Sequence, residues 1–383
     1  MLRRKGLVLA AVLAVTSGCG GANGGTDGPS GPSATDTVLA LANVDSGANA
    51  ARLFRWTAGK LEEVHLPPLD DSLALAITWA SPTDAWLSVR SGGASQLLHS
   101  GDRGRTFAPS GIELPAELQR STLFDFTGDA IWTARIEDVF VGSAGELPLA
   151  TSLWASADAG RTWQQRWRFG GFGVQTGVLR FARRGERDEV YFTRAGESEP
   201  PMLLDLATGA REAIETSPFL PTHYASAGAR GFLAGTVPSF PDPDLPAIAS
   251  ARPGEAWTVS LLGDAPSPAP VPWVLDFVDE QHGIVCGLRR DGLVVRGIGC
   301  FQTRDGGTTW EFRAVRDGSD LEVDDVAYTG DGDIVLAART DVGPRSGPAL
   351  LLVGREEGGD WHEYTLVGSF ASQLARSSAA RAR

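Results

Sequence analysis

The sequence predicts an all-β chain, a seven-bladed β-propeller of four-stranded antiparallel blades. Three observations carry that expectation: a short string recurs at a nearly constant interval, paired apolar runs precede it, and turn formers abound without a long amphipathic helical pattern. A length of 383 residues suits one large all-β domain as well as two average ones. Gly 47 and Pro 23, with 21% charged and 42% hydrophobic residues, describe a folded chain with many turns.

The string is Ser/Thr-x-Asp-x-Gly-x-Thr-Trp/Phe. It appears as "SGDRGRTF" (Ser100, Asp102, Gly104, Thr106, Phe107), "SADAGRTW" (Ser156, Asp158, Gly160, Thr162, Trp163) and "TRDGGTTW" (Thr303, Asp305, Gly307, Thr309, Trp310). Weaker copies are "SARPGEAW" from Ser250, with Arg252 in place of the Asp, and "GREEGGDW" from Gly354. Starts at 100, 156, 250, 303 and 354 are roughly 50 residues apart, with one gap about twice that, so a copy has eroded there. Remnants lie around Asp205 and Gly209 and, upstream, around Gly59. Seven units of about 50 residues match propeller blades.

Ahead of the strings, "LALAITWASPTDAWLSV", "VPWVLDFVDEQHGIVCGL" and "LEVDDVAYTGDGDIVLAA" each hold two apolar runs around a short polar turn. Each reads as two buried strands in a tight hairpin. A blade therefore runs strand A, short turn, strand B, longer loop, strand C, the repeated string, strand D. The first unit, from Thr37, supplies three strands and lacks an innermost one. The stretch near Phe370–Leu374 is expected to supply it and close the ring.

The ends read differently. Residues 1–18 form an export signal: a basic Leu2-Arg3-Arg4-Lys5, an apolar Gly6–Val15 too short to span a bilayer, and small residues before Cys19. Thr16-Ser17-Gly18-Cys19 resembles the bacterial lipobox, which implies acylation of Cys19; Thr16 stands where that motif usually has Leu. The alternative is a plain secretory peptide trimmed with its Cys. Residues 19–36 are a flexible Gly/Ser/Pro tether, 37–375 the propeller, and 376–383 a disordered tail. The expected address is extracytoplasmic, lipid-anchored to a bacterial envelope.

The strings resemble Asp-boxes, the BNR repeats of bacterial sialidases and other propeller families, over roughly residues 37 to 370. That resemblance implies a hairpin turn between strands C and D, with the Asp bonded to turn amides, the Gly left-handed and the aromatic between blades. Turn chemistry agrees, since Asp and Gly suit tight turns and a Trp supplies buried area. The strings are therefore read as scaffold. "DFVDEQHGIVCG" followed by "TRDGGTTW" is also similar to propellers of the photosystem II assembly-factor type, though that group's basic patch is not evident.

Cys286 and Cys300 fall on strands B and C of the sixth unit. If Leu288 pairs with Ile298, antiparallel register sets the two cysteines opposite each other, and a disulfide suits an exported chain. No Cys/His spacing suggests a metal, and no cofactor is expected.

A net charge of −13 argues against nucleic acid, and the chain is expected to be monomeric. Its expected role is non-catalytic binding of a protein or an envelope glycan, as an assembly or scaffold factor. Binding is expected on the face of the B–C loops (137–149, 235–247, 289–299, 338–348) and the D–A stretch "RWRFGGFG". Candidate residues are Trp167, Phe169, Phe172, Phe240, Arg289 and Arg290; Trp167 and Phe169 read equally as the end of strand D. The alternative function is a glycoside hydrolase of a sialidase-like or xyloglucanase-like Asp-box group. For it, Asp125, Asp276, Asp324 and Asp325 lie on innermost strands, read otherwise as solvated channel lining. The sialidase Arg-Ile-Pro motif is absent, Tyr191, Tyr224, Tyr328 and Tyr364 read as packing, and His65, His99, His223, His282 and His362 fall in turns or strand ends without a nucleophile.

Overall fold

The computed structural model describes residues 36–43, 51–69, 73–91, 94–119, 123–127, 130–142, 145–170, 175–195, 200–239, 244–263, 269–292, 294–342, 345–366 and 370–377. The expected signal segment, Cys19, the expected tether before residue 36 and the residues after 377 lie outside them.

Seven four-stranded antiparallel sheets follow one another. Blade one contains β1 (Thr37–Asn43), β2 (Ala51–Thr57) and β3 (Lys60–Val64). Blade two is β4 (Leu73–Trp79), β5 (Ala85–Ser91), β6 (Ala94–Ser100) and a two-residue β7 (Ala108–Pro109). Blade three is β8 (Leu123–Thr127), β9 (Ala130–Gly142), β10 (Gly145–Ser156) and β11 (Gln164–Gly170). Blade four is β12 (Gln175–Arg184), β13 (Arg187–Ala195), β14 (Met202–Asp205) and β15 (Arg211–Ala213). Blade five is β16 (Leu220–Ala227), β17 (Arg230–Val237), β18 (Leu245–Ala251) and β19 (Thr258–Leu261). Blade six is β20 (Pro270–Phe277), β21 (Gly283–Asp291), β22 (Val294–Thr303) and β23 (Glu311–Asp317). Blade seven is β24 (Leu321–Tyr328), β25 (Asp333–Val342), β26 (Arg345–Arg355) and β27 (His362–Thr365). Finally β28 (Phe370–Arg376) pairs with β1, so blade one takes its innermost strand from the far end of the chain.

First strands of neighbouring sheets touch (β4 with β8, β12 with β16, β16 with β20, β20 with β24, β24 with β28, β28 with β4), which arranges the blades about a common axis. The physical basis is visible in β1, "TVLALAN". Alternate side chains leave opposite faces of a strand: Val38, Ala40 and Ala42 join a buried cluster with blade seven, while Leu39 and Leu41 join one with blade two. A strand buried on both faces must be apolar nearly throughout.

One feature differs from the expected loops. Three of the B–C segments are paired strands rather than loops: β9–β10 stays paired out to Gly142 opposite Gly145, β21–β22 to Asp291 opposite Val294, and β25–β26 to Val342 opposite Arg345. Each ladder steps past a register shift, at Pro148/Ala150, Arg289/Arg290 and Arg339/Asp341, and then resumes, which loop length alone does not reveal. Blade four keeps all four strands although its repeat string has eroded: Asp205 Oδ1 still accepts from Ala207 N (2.9 Å) and Thr208 N (2.8 Å), and Gly209 has φ +74°.

Candidate functional site

The repeated strings are closed hydrogen-bond units between strands C and D. In each, one carboxylate oxygen accepts from the amide four residues on, Thr106 N to Asp102 Oδ1 at 3.0 Å and Thr162 and Thr309 N to Asp158 and Asp305 Oδ1 at 2.8 Å. The other oxygen accepts from the same threonine's hydroxyl at 2.7, 2.6 and 2.7 Å. The leading Ser100, Ser156 or Thr303 hydroxyl accepts from the glycine amide and donates to the Asp. Burial works against ionisation of Asp102, yet the Thr106 hydroxyl and amide hold it at about 2. The Thr162 hydroxyl and amide do the same for Asp158, at about 2. Asp305 is lowered by the Thr309 amide and hydroxyl. Gly104 and Gly160 adopt φ +71° and +87°, and a Cβ there would press on Leu39 and Ile112 of the neighbouring packing. Trp310 Nε1 donates to Gly307 O (3.1 Å) and its ring meets Phe277 edge-on. Phe107 is buried between blades one and two, and Trp163, its Nε1 on Gly160 O at 3.2 Å, is half-buried. Every carboxylate oxygen of these turns is occupied by the turn itself.

The innermost-strand acids are not solvated lining. Asp125, Asp276 and Asp325 are buried. Thr78 Oγ1 donates to Asp125 Oδ1 (2.8 Å), Tyr328 N to Asp276 Oδ2 (2.8 Å) and Leu374 N to Asp325 Oδ2 (2.9 Å). They staple one innermost strand to the next, and Asp276 and Asp325 do so by satisfying amides on the backbone edge that faces the axis. Asp324 pairs with Arg339 Nη1 at 2.8 Å, and burial pushes its carboxyl up to about 8. A tyrosine does meet a glutamate, Tyr224 donating to Glu189 beside Arg184, but all three are buried. Tyr191 stacks on Tyr224, Tyr328 accepts from Gln302 Nε2, and Tyr364 lies edge-on to Trp56. His99 and His282 sit beside Asp84 and Asp279, and His65 and His362 are exposed. His223 departs from the turn or strand end expected for it: it is buried inside β16 against Arg180.

Exposure is concentrated elsewhere. Among the described residues the large exposed hydrophobics are Leu220, Leu245, Val259, Leu261, Val271, Trp273 and Val294. All but Val259 occupy starts of strands A or C, or the end of D, in blades five and six. In an up-and-down sheet those ends share one face, that of the B–C and D–A connections. Scattered exposed apolar residues are ordinary, but a contiguous group on one face is informative.

The backbone explains the placement. Register skips one residue in strand A at Thr222, Trp273 and Asp324, equivalent positions in blades five, six and seven. A bulge leaves its residue unpaired and re-aims it. Trp273 is 56% exposed, while Thr222 Oγ1 bridges to Pro272 O (3.1 Å) of the next blade. Opposite the bulges, a Cβ on Gly235 or Gly287 would collide with the Leu220 or Val271 carbonyl. The readable signal is Leu220-Pro221 and Val271-Pro272, one repeat apart, since proline within a strand marks an edge or bulge; sequence reasoning passed over it.

Of the expected binding residues, Arg289 and Arg290 lie on this face at the end of β21; Arg290 is exposed and Arg289 pairs with Asp317 at 2.8 Å. Phe240 and Phe172 lie outside the described residues. Trp167 and Phe169 belong to β11, and Trp167 packs between blades three and four.

The chain is a seven-bladed β-propeller. No protein-family model and no curated protein matches it. Among solved structures, a putative 6-phosphogluconolactonase from Bacteroides fragilis aligns over 92% of this chain and 100% of its own at 8% identity and TM-score 0.52. YCF48 bound to D1 peptide aligns over 84% and 86% at 14% identity and TM-score 0.46. The GH74 xyloglucanase from Xanthomonas campestris aligns over 91% of this chain and 59% of its own, at 16% identity and TM-score 0.48. At 8% identity the likeness to the first of these is one of fold alone.

Proposed function

We propose that this chain is a non-catalytic extracytoplasmic lipoprotein whose propeller binds a protein partner through the B–C/D–A face of blades five and six. The observation that carries this reading is the gathering of Leu220, Leu245, Leu261, Val271, Trp273 and Val294 on that face. Exposed Trp and aliphatic side chains beside Arg290 are the composition of protein interfaces. A glycoside hydrolase would need two accessible carboxylates, and Asp125, Asp276 and Asp325 are buried on backbone or hydroxyl donors. In this proposal the strings are Asp-box turns, the chain is monomeric, and acylated Cys19 holds it at the envelope.

The test is capture of the tagged chain from its own envelope, compared with Trp273→Ala, Leu220→Asp and Cys19→Ala. A stoichiometric protein lost with Trp273→Ala and Leu220→Asp at unchanged melting temperature is the expected result. Cys19→Ala should move the chain to the soluble fraction. Capture indifferent to both face variants, or capture of polysaccharide alone, defeats the reading.

A further inference from the structure

Blades four and five hold a cluster of buried polar atoms that meet no hydrogen-bond partner among the described residues. Arg180 on β12 leaves Nε and Nη1 free, Tyr191 on β13 its hydroxyl, and His223 on β16 its Nε2. All three side chains are buried. Arg180 and Tyr191 are cross-strand partners, so they leave the same face of blade four, and Arg180 Nη2 lies 3.3 Å from His223 Nδ1.

The chemistry of these atoms is one-sided. A guanidinium only donates, so His223 Nδ1 accepts from Arg180 and the neutral ring carries its proton on Nε2. Burial, with Arg180 beside it, holds that ring neutral. Burial likewise keeps the Tyr191 hydroxyl protonated. Burial lowers Arg180 only to about 10, so it remains charged at neutral pH. Every unpartnered group in the cluster therefore has a proton to donate.

Among the described residues no side chain is bonded to these atoms. Asp325 is the acid whose field reaches Arg180, but its Oδ1 accepts from Val326 N and its Oδ2 from Leu374 N, both at 2.9 Å. Asp276 is turned likewise to backbone amides, of Phe277 and Tyr328. Buried donors left unmade are costly, and natural folds rarely leave several together.

We propose that Arg180, His223 and Tyr191 form a binding site for a small inorganic anion inside the ring, between blades four and five. An acceptor without protons fits a set of groups that all donate, and its charge answers a buried guanidinium that has no ion pair among the described residues. This site is independent of the apolar face and does not rest on its role.

The experiment uses the whole chain. Crystals grown in sodium bromide should show an anomalous peak within hydrogen-bond distance of Arg180 Nε or Nη1 and of His223 Nε2, and crystals grown in sodium sulfate tetrahedral density there. In solution, bromide at constant ionic strength should raise the thermal midpoint. Tyr191→Phe, which deletes one donor and keeps the ring, should weaken the apparent affinity roughly tenfold, and Arg180→Met should abolish the response. Water alone at the site in both crystals overturns the proposal, as does a bromide response unchanged in Tyr191→Phe, which decides the matter even if Arg180→Met fails to fold.

Discussion

The indole of Trp167, on the outer strand of blade three, lies over Gly209 in the C–D turn of blade four, where a Cβ would overlap the ring. An aromatic side chain that by sequence suits binding thus serves as a wedge between blades, and the eroded repeat string survives as the glycine that receives it. Gly209 also holds φ +74°. Gly209→Ala should lower stability by about 1–3 kcal/mol, from left-handed strain and from displacing the indole. Urea denaturation measures this, and partner capture by the folded variant should be unchanged.

Cys286 and Cys300 face each other across β21 and β22 with Cα atoms 4.1 Å apart, and a disulfide joins them. The sequence separation is 14, and closing a loop of that size restricts the unfolded chain by about 3 kcal/mol. Reduction, or the double Cys286→Ser/Cys300→Ser variant, should lower the urea midpoint correspondingly. An unchanged midpoint under dithiothreitol would show that the bond adds nothing.

The turn carboxylates predict behaviour in acid. Asp102 and Asp158 are held at about 2 in the fold against an ordinary 3.8. A depressed carboxylate contributes stability that is complete above its unfolded pKa and lost as pH falls through the folded one. Stability should therefore fall between pH values of about 4 and 2. Asp102→Asn with Asp158→Asn should start lower and lose less across that window, followed by the urea midpoint at each pH.

Asp324 has the opposite sign. Burial raises its carboxyl to about 8 from 3.8 despite Arg339. The folded chain then binds a proton more tightly than the unfolded one, so its contribution declines as pH rises from about 4 to 8. Asp324→Asn, which keeps an acceptor for Arg339, should flatten that decline; thermal midpoints at pH 5 and pH 9 provide the comparison.

Much of this molecule was legible before any coordinates. The spacing of "SGDRGRTF", "SADAGRTW" and "TRDGGTTW" dictates seven similar units, because a blade repeats its turn wherever it repeats its strands. The unbroken apolar run of "TVLALAN" calls for a strand buried on both sides, and the absent innermost strand of the first unit calls for a return of the chain at its other end. The candidate face was harder to see. Arg289 and Arg290 were found by loop position, whereas Trp273, Leu220 and Val271 read as ordinary strand hydrophobics.

Local pattern by itself determined the class of fold, the number of blades, the C–D turns and the register that sets Cys286 against Cys300, since all of these depend on neighbours close in sequence. Only the tertiary structure decided which apolar residues stay in water and which acids do not. A one-residue bulge in β20 turns Trp273 outward, and closure of the ring buries Asp125, Asp276 and Asp325 against donors of adjacent strands. Meetings such as Arg180 with His223 join positions 43 residues apart in sequence. No periodicity along the chain encodes them, because burial at the axis depends on how seven sheets close on one another.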